Sequence, residues 1–142
     1  MKPITAEWIE KAEGDFHSAR RELRARTRPN YNLVGFLSQQ CVEKYLKSRL
    51  AEAGIAFPKT HDLVALLKLV EPVEPGFVTL REKVDGLSHY AVDFRYPGES
   101  ATKEDARAAL ANCRVAREHV RDRKSTRLNS SHSSVSRMPS SA

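Results

Sequence analysis

Four side chains on three separated segments carry the groups that a phosphate-bearing ligand would need: Gln40, Lys44, His61 and Arg95. Gln40 and Lys44 stand four residues apart, as do Gln39 and Glu43, and Glu43 and Lys47. At that spacing side chains meet on one face of a helix. Amides can read the edge of a base while a lysine holds a phosphate. Closed on itself, the same group would be a satisfied polar network that fixes how its helix packs, because buried polar groups need partners. Within Thr60-His61-Asp62-Leu63, His61 falls at the start of a short helix, where backbone N–H groups favour an anion. There it either meets a phosphate or braces the turn through the backbone or Asp62. Arg95, in Asp93-Phe94-Arg95-Tyr96-Pro97, lies in a constrained extended segment. Its guanidinium could grip phosphate beside an aromatic ring, or pair with Asp93 or Glu43 and close the loop. Gln39, Glu43, Asp62 and Asp93 form the expected structural polar network around the four candidates.

The elements that must position these groups are helical throughout. Trp8, Ile9, Ala12, Phe16, Ala19 and Leu23 recur at helical spacing from a cap at Thr5 to about Arg26. A turn at Thr27–Asn30 precedes a second helix over Tyr31–Ala53, with Gly54 as its stop. Leu33, Leu37, Cys41 and Tyr45, with Val34, Val42, Leu46 and Leu50, give that helix a wide apolar stripe. Thr60 is the expected cap of a short helix ending at Val70, with Asp62 in its first turn. Pro75 opens a fourth helix carrying Phe77, Leu80, Val84, Leu87 and Ala91, with Gly86 as a possible interruption. Thr102 and Asp105 form a capping box before a last helix, which buries Ala106, Ala109, Leu110, Cys113, Ala116 and Val120. No strand pattern competes. The expectation is an all-α antiparallel bundle of about five helices, with Trp8, Phe16, Leu37, Cys41, Tyr45, Leu66, Leu80, Val84, Leu110 and Cys113 in the core.

Composition excludes several classes. A chain of 142 residues suits one domain. It has no apolar run long enough to span a bilayer and no signal-peptide pattern. Cys41 and Cys113 have neither CxxC nor zinc-type spacing, so both are expected reduced and buried, in a cytoplasmic protein. No metal or cofactor motif is present. Of the formal charge of +6, half comes from Lys124, Arg127 and Arg137 in the last nineteen residues, so the rest is only mildly basic. Those nineteen include eight serines and no acid. Such a stretch cannot bury enough surface to order itself, and it reads as a translated adapter. Residues 1–123 are therefore expected to be the domain, and residues 124–142 a disordered, non-native tail.

The run Gln39-Gln40-x-x-Glu43-Lys44-x-Leu46-Lys47, followed by Thr60-His61-Asp62-Leu63 and Arg95-Tyr96-Pro97, resembles the HEPN family over roughly Thr5 to Arg123. That resemblance implies a helical domain tied to nucleotide or RNA chemistry and self-associating as a homodimer. It also implies a nucleotidyltransferase-fold partner, as in toxin–antitoxin-like pairs. Family members that cut RNA share an R-x(4–6)-H motif, in which histidine moves a proton and arginine steadies the phosphorane, without metal. Here Arg81 and His89 are separated by seven residues, one too many, while Arg114 and His119 match the spacing on the last helix. Val115 stands where a polar residue often follows the arginine. Arg114 and His119 are the catalytic candidates if the chain is an enzyme. The leading expectation is a nucleotide- or RNA-associated module. The alternatives are a metal-independent endoribonuclease and a purely structural interaction module. A minimal nucleotidyltransferase encoded next to this chain would favour the paired module.

Overall fold

The computed structural model describes the backbone of residues 1–93 and 97–130, and the side chains of residues 1–88 and 97–122. Among the described residues, five α-helices follow one another: α1 (Pro3–Arg24), α2 (Tyr31–Ala53), α3 (Leu63–Val70), α4 (Arg81–Asp93) and α5 (Lys103–Ser130). A 3-10 helix, Pro75–Leu80, leads into α4. Among the described residues there is no strand. No helix among them is long and apolar enough to cross a membrane.

Helix ends follow local chemistry, with several departures from expectation. Pro3 opens α1, where its missing N–H costs nothing, so Thr5 lies fully buried inside the first turn rather than capping it. The helix stops at Arg24. Asn30 caps α2 by accepting the Leu33 N–H at 3.0 Å, and its own N–H is held by Glu22 at 2.7 Å. Gly54, at φ 72°, adopts the left-handed conformation that ends the helix. Asp62, not Thr60, caps α3: its Oδ1 accepts the Ala65 N–H at 3.1 Å, while Thr60 Oγ1 accepts the Asp62 N–H at 3.0 Å. The hydroxyl sets the turn and the carboxylate starts the helix. The segment from Pro75 begins as a 3-10 helix and turns α-helical at Arg81, and Gly86 lies within continuous helix. A Cβ on Gly86 would meet Asn112 Nδ2 at 3.4 Å, so the glycine faces α5. Thr102 and Asp105 form the reciprocal capping box, at 2.9 and 3.1 Å. α5 continues to Ser130 and overlaps the start of the serine-rich segment; residues 131–142 lie outside the described residues.

Helix α2 is the axis of the bundle, packed against all four other helices. It is therefore buried on nearly every side from Cys41 to Leu50, including Glu43, Lys47, Ser48 and Arg49. A helix surrounded in this way has no solvent face to which polar groups can turn. Ser38 and Ser48 donate back to the carbonyls of Val34 and Tyr45. Arg49 pairs with Glu74 at the N-terminal edge of the 3-10 helix, both almost fully enclosed. Eight of the ten expected core residues are buried; Trp8 and Leu37 are half-buried at the bundle's edge. Cys41 and Cys113 are free and buried. Burial first, and then the neighbouring Cys113, push the Cys41 thiol well above its ordinary range, which suits an inert core thiol.

Candidate functional site

The polar run on α2 divides between two sides of the helix. Glu43, with 5 % of its side chain exposed, accepts from Lys47 Nζ at 2.9 Å through one oxygen and from His61 Nδ1 at 2.9 Å through the other. Lys47 is itself enclosed, with its ammonium 5.4 Å from the Trp8 ring centroid and 5.9 Å from that of Phe57. Those two rings meet edge to face at 6.4 Å. Aromatic faces attract the ammonium while the carboxylate neutralises it, so the pair satisfies the condition for keeping charge inside a fold. His61 is the opposite case. Its side chain is 83 % exposed although Nδ1 is tied to a buried acid. Among the described residues, Nε2 has no partner. A carboxylate on one ring nitrogen fixes the tautomer and orientation of the imidazole and leaves the other nitrogen to act. The brace anticipated from Asp62 thus comes from Glu43, eighteen residues earlier, because Asp62 is occupied in capping α3.

Lys44 faces α1, where its Nζ lies 2.6 Å from Asp15 Oδ2. Positions 43 and 44 differ by about 100° around a helix, so Lys44 and His61 serve different sides of α2. Gln39 donates only a long bond, 3.5 Å, to the Leu87 carbonyl. Gln40 is half-buried on the face of Lys44. Arg95 lies outside the described residues, as does the side chain of Asp93. Among the described residues, then, the structure joins Glu43, Lys47 and His61, and commits Lys44 elsewhere.

Arg114 and His119 do not share a site within one chain. Five residues along a helix set two side chains about 140° apart. The Arg114 guanidinium lies 5.6 Å from the Phe16 ring on α1. His119 packs edge-on against Phe77 at 5.6 Å, with Nε2 3.2 Å from Thr79 Oγ1 and Nδ1 3.2 Å from the Val115 carbonyl. Its ring borders a cleft of about 220 Å³ together with Glu74 and Asp122.

Sequence reasoning missed a second polar centre. Glu13 on α1 takes a forked pair from Arg117 on α5, at 2.8 and 2.9 Å, and the hydroxyl of Tyr45 on α2. Burial pushes the Glu13 carboxyl up, but the hydrogen bonds of Arg117 and Tyr45, with the charges of Arg117 and Arg121, outweigh it and hold the carboxyl below its ordinary 4.5. Burial, the neighbouring Cys41 and the bond to Glu13 push the Tyr45 phenol upward. The Arg117 guanidinium also stacks 4.4 Å from the Phe16 ring. The residues lie 32 and 104 positions apart, and no local spacing signals their meeting.

A family model for the HEPN domain matches residues 5–123. The crystal structure of an archaeal HEPN homologue superposes with a TM-score of 0.68 at 26% identity, over 87% of this chain and 98% of that one. A crystal structure from Thermus thermophilus superposes with a TM-score of 0.66 at 24% identity, over 83% and 96%, which shows likeness of fold alone. No curated protein matches significantly.

Proposed function

This chain belongs to the HEPN domain family, and from that premise we propose that it is a nucleotide- or RNA-binding helical module whose ligand is met by His61. The observation that carries the reading is the pairing of an exposed imidazole with a buried carboxylate. A histidine that merely fills a turn has no need of a carboxylate anchored by an enclosed lysine. Held by Nδ1, it offers Nε2 to a phosphate oxygen or a base edge beside the start of α3. Arg95 joins His61 in the proposed ligand set, while Gln40 and Lys44, on another side of α2, contribute only where a ligand reaches round the helix and takes Lys44 from Asp15. The module acts as a homodimer beside a nucleotidyltransferase-fold partner, in a toxin–antitoxin-like pair. Cleavage of RNA by Arg114 and His119 is the weaker reading, because the two side chains border different clefts and one chain cannot bring both to one phosphate.

Replacing His61 by alanine tests the binding role. With ATP in a calorimetric titration, the variant should bind about 10- to 100-fold more weakly, the equivalent of about 1.5–3 kcal/mol for a hydrogen bond to a charged group. Its melting temperature should stay within a degree or so, as befits an exposed side chain. Unchanged affinity with a lowered melting point would assign His61 to packing.

A further inference from the structure

The C-terminal half of α1 and the N-terminal half of α5 enclose a groove whose walls, among the described residues, carry cations and no carboxylate. One hollow, of about 280 Å³, is lined by Arg20, Arg24, Arg107 and Arg114 over a floor of Leu23 and Leu110. It shares Leu23, Arg24 and Arg107 with a second hollow of about 620 Å³, to which Arg26 and Lys103 add their charge and Tyr31 an aromatic ring. Of the acids nearest in sequence, Glu22 holds the Asn30 N–H and Asp105 the Thr102 N–H, while Glu104 is exposed on the first turn of α5 and lines neither hollow. Among the described residues, none of the six cations forms an ion pair.

Two of the six are held in place, and one of these is left unsatisfied. The guanidinium groups of Arg20 and Arg114 both lie against the Phe16 ring, at 5.7 and 5.6 Å. Nε of Arg20 is buried with no hydrogen-bond partner among the described residues. An enclosed N–H without an acceptor is costly, and six unpaired cations along one groove repel one another. An anion relieves both. The cations are also strung out along the groove: Arg20 to Arg24 and Lys103 to Arg107 each rise about 6 Å, and Arg107 to Arg114 about 10 Å. A string of charges suits a linear polyanion better than a lone phosphate. Five of the six are arginines, whose forked donors match phosphate oxygens two at a time.

We infer that this groove binds the phosphodiester backbone of single-stranded nucleic acid without reading its sequence, on a separate face from His61. The backbone is common to RNA and DNA, so the groove should take oligouridine and oligothymidine alike. The site can fail without affecting the His61 reading, and the reverse also holds.

Fluorescence anisotropy on the full chain, with short labelled oligouridine and oligothymidine, tests the inference. If about four phosphates are met, the slope is about −0.7 per phosphate and binding should weaken about fifty-fold between about 50 and 200 mM salt. Arg24 and Arg107 line both hollows and are exposed. The double variant Arg24→Gln/Arg107→Gln should keep its melting point, bind at least about tenfold more weakly at low salt, and lose about 1.4 from the slope. Arg26→Gln/Lys103→Gln should act in the same direction. His61→Ala should leave the slope unchanged. Absence of oligonucleotide binding would overturn the inference, as would a wild-type slope in both double variants. A preference for RNA above about tenfold would point to the 2′-hydroxyl rather than the backbone, and equally tight polyglutamate binding to an acidic protein; either would also overturn it. Loss of binding in His61→Ala alone would overturn the groove while leaving the His61 reading intact.

Discussion

Replacing Glu43 by alanine is expected to lower stability by about 3–5 kcal/mol, because it strands Lys47 as an unpaired charge in the interior. With only 9 % of its side chain exposed, Lys47 has little access to water. The same change frees His61, so ligand affinity should fall together with stability. A second variant separates the two effects. In Glu43→Leu/Lys47→Met both charges leave at once and apolar side chains of similar volume take their place, an exchange that is often neutral or stabilising. That protein should recover most of the lost stability in denaturant titrations but none of the lost affinity. Full recovery of affinity would show that His61 needs no anchor, and would remove the reason for regarding the triad as a binding device.

The second large effect belongs to Glu13. Its carboxyl is held below the ordinary 4.5 in the folded chain. The stability it contributes is therefore present in full above pH 4.5 and is lost as pH falls through the lower folded value. Glu13→Gln keeps an acceptor for Tyr45 but removes the charge that Arg117 grips with two bonds. Near neutral pH the variant should be less stable by about 1.5–3 kcal/mol, the range for hydrogen bonds to charged groups. Thermal melts taken through the acid range should show the two proteins converging as Glu13 protonates. Parallel curves would mean that Arg117 and Tyr45 hold the helices together without help from the charge.

Much of the frame is legible in the sequence, because it rests on local rules. The limits of α2 follow from a turn ending at Asn30 and from a glycine whose positive φ stops the helix. The Glu43–Lys47 pair follows from four-residue spacing, and the Thr102–Asp105 box from the capping pattern. Elements were misplaced where two local solutions competed. Thr60 and Asp62 can both cap, and the hydroxyl lost to the carboxylate. Contacts across the chain left no such trace. That Glu43 reaches His61, that Arg49 finds Glu74, and that Glu13 gathers Tyr45 and Arg117 depend on how separate helices pack. The groove between α1 and α5 was hidden for the same reason. Its arginines read as complements to a helix terminus on α1 and as part of a generally basic stretch on α5.

The central claim is that Glu43 holds His61 so that Nε2 faces a phosphate-bearing ligand. Nitrogen-detected NMR of the histidine rings, with ATP added stepwise, tests it at the atom concerned. The account predicts that the Nε2 resonance of His61 shifts progressively with ligand, while Nδ1 keeps the signature of a protonated nitrogen bound to carboxylate and His17 stays in place. Ligand binding that leaves the His61 ring unmoved would contradict it.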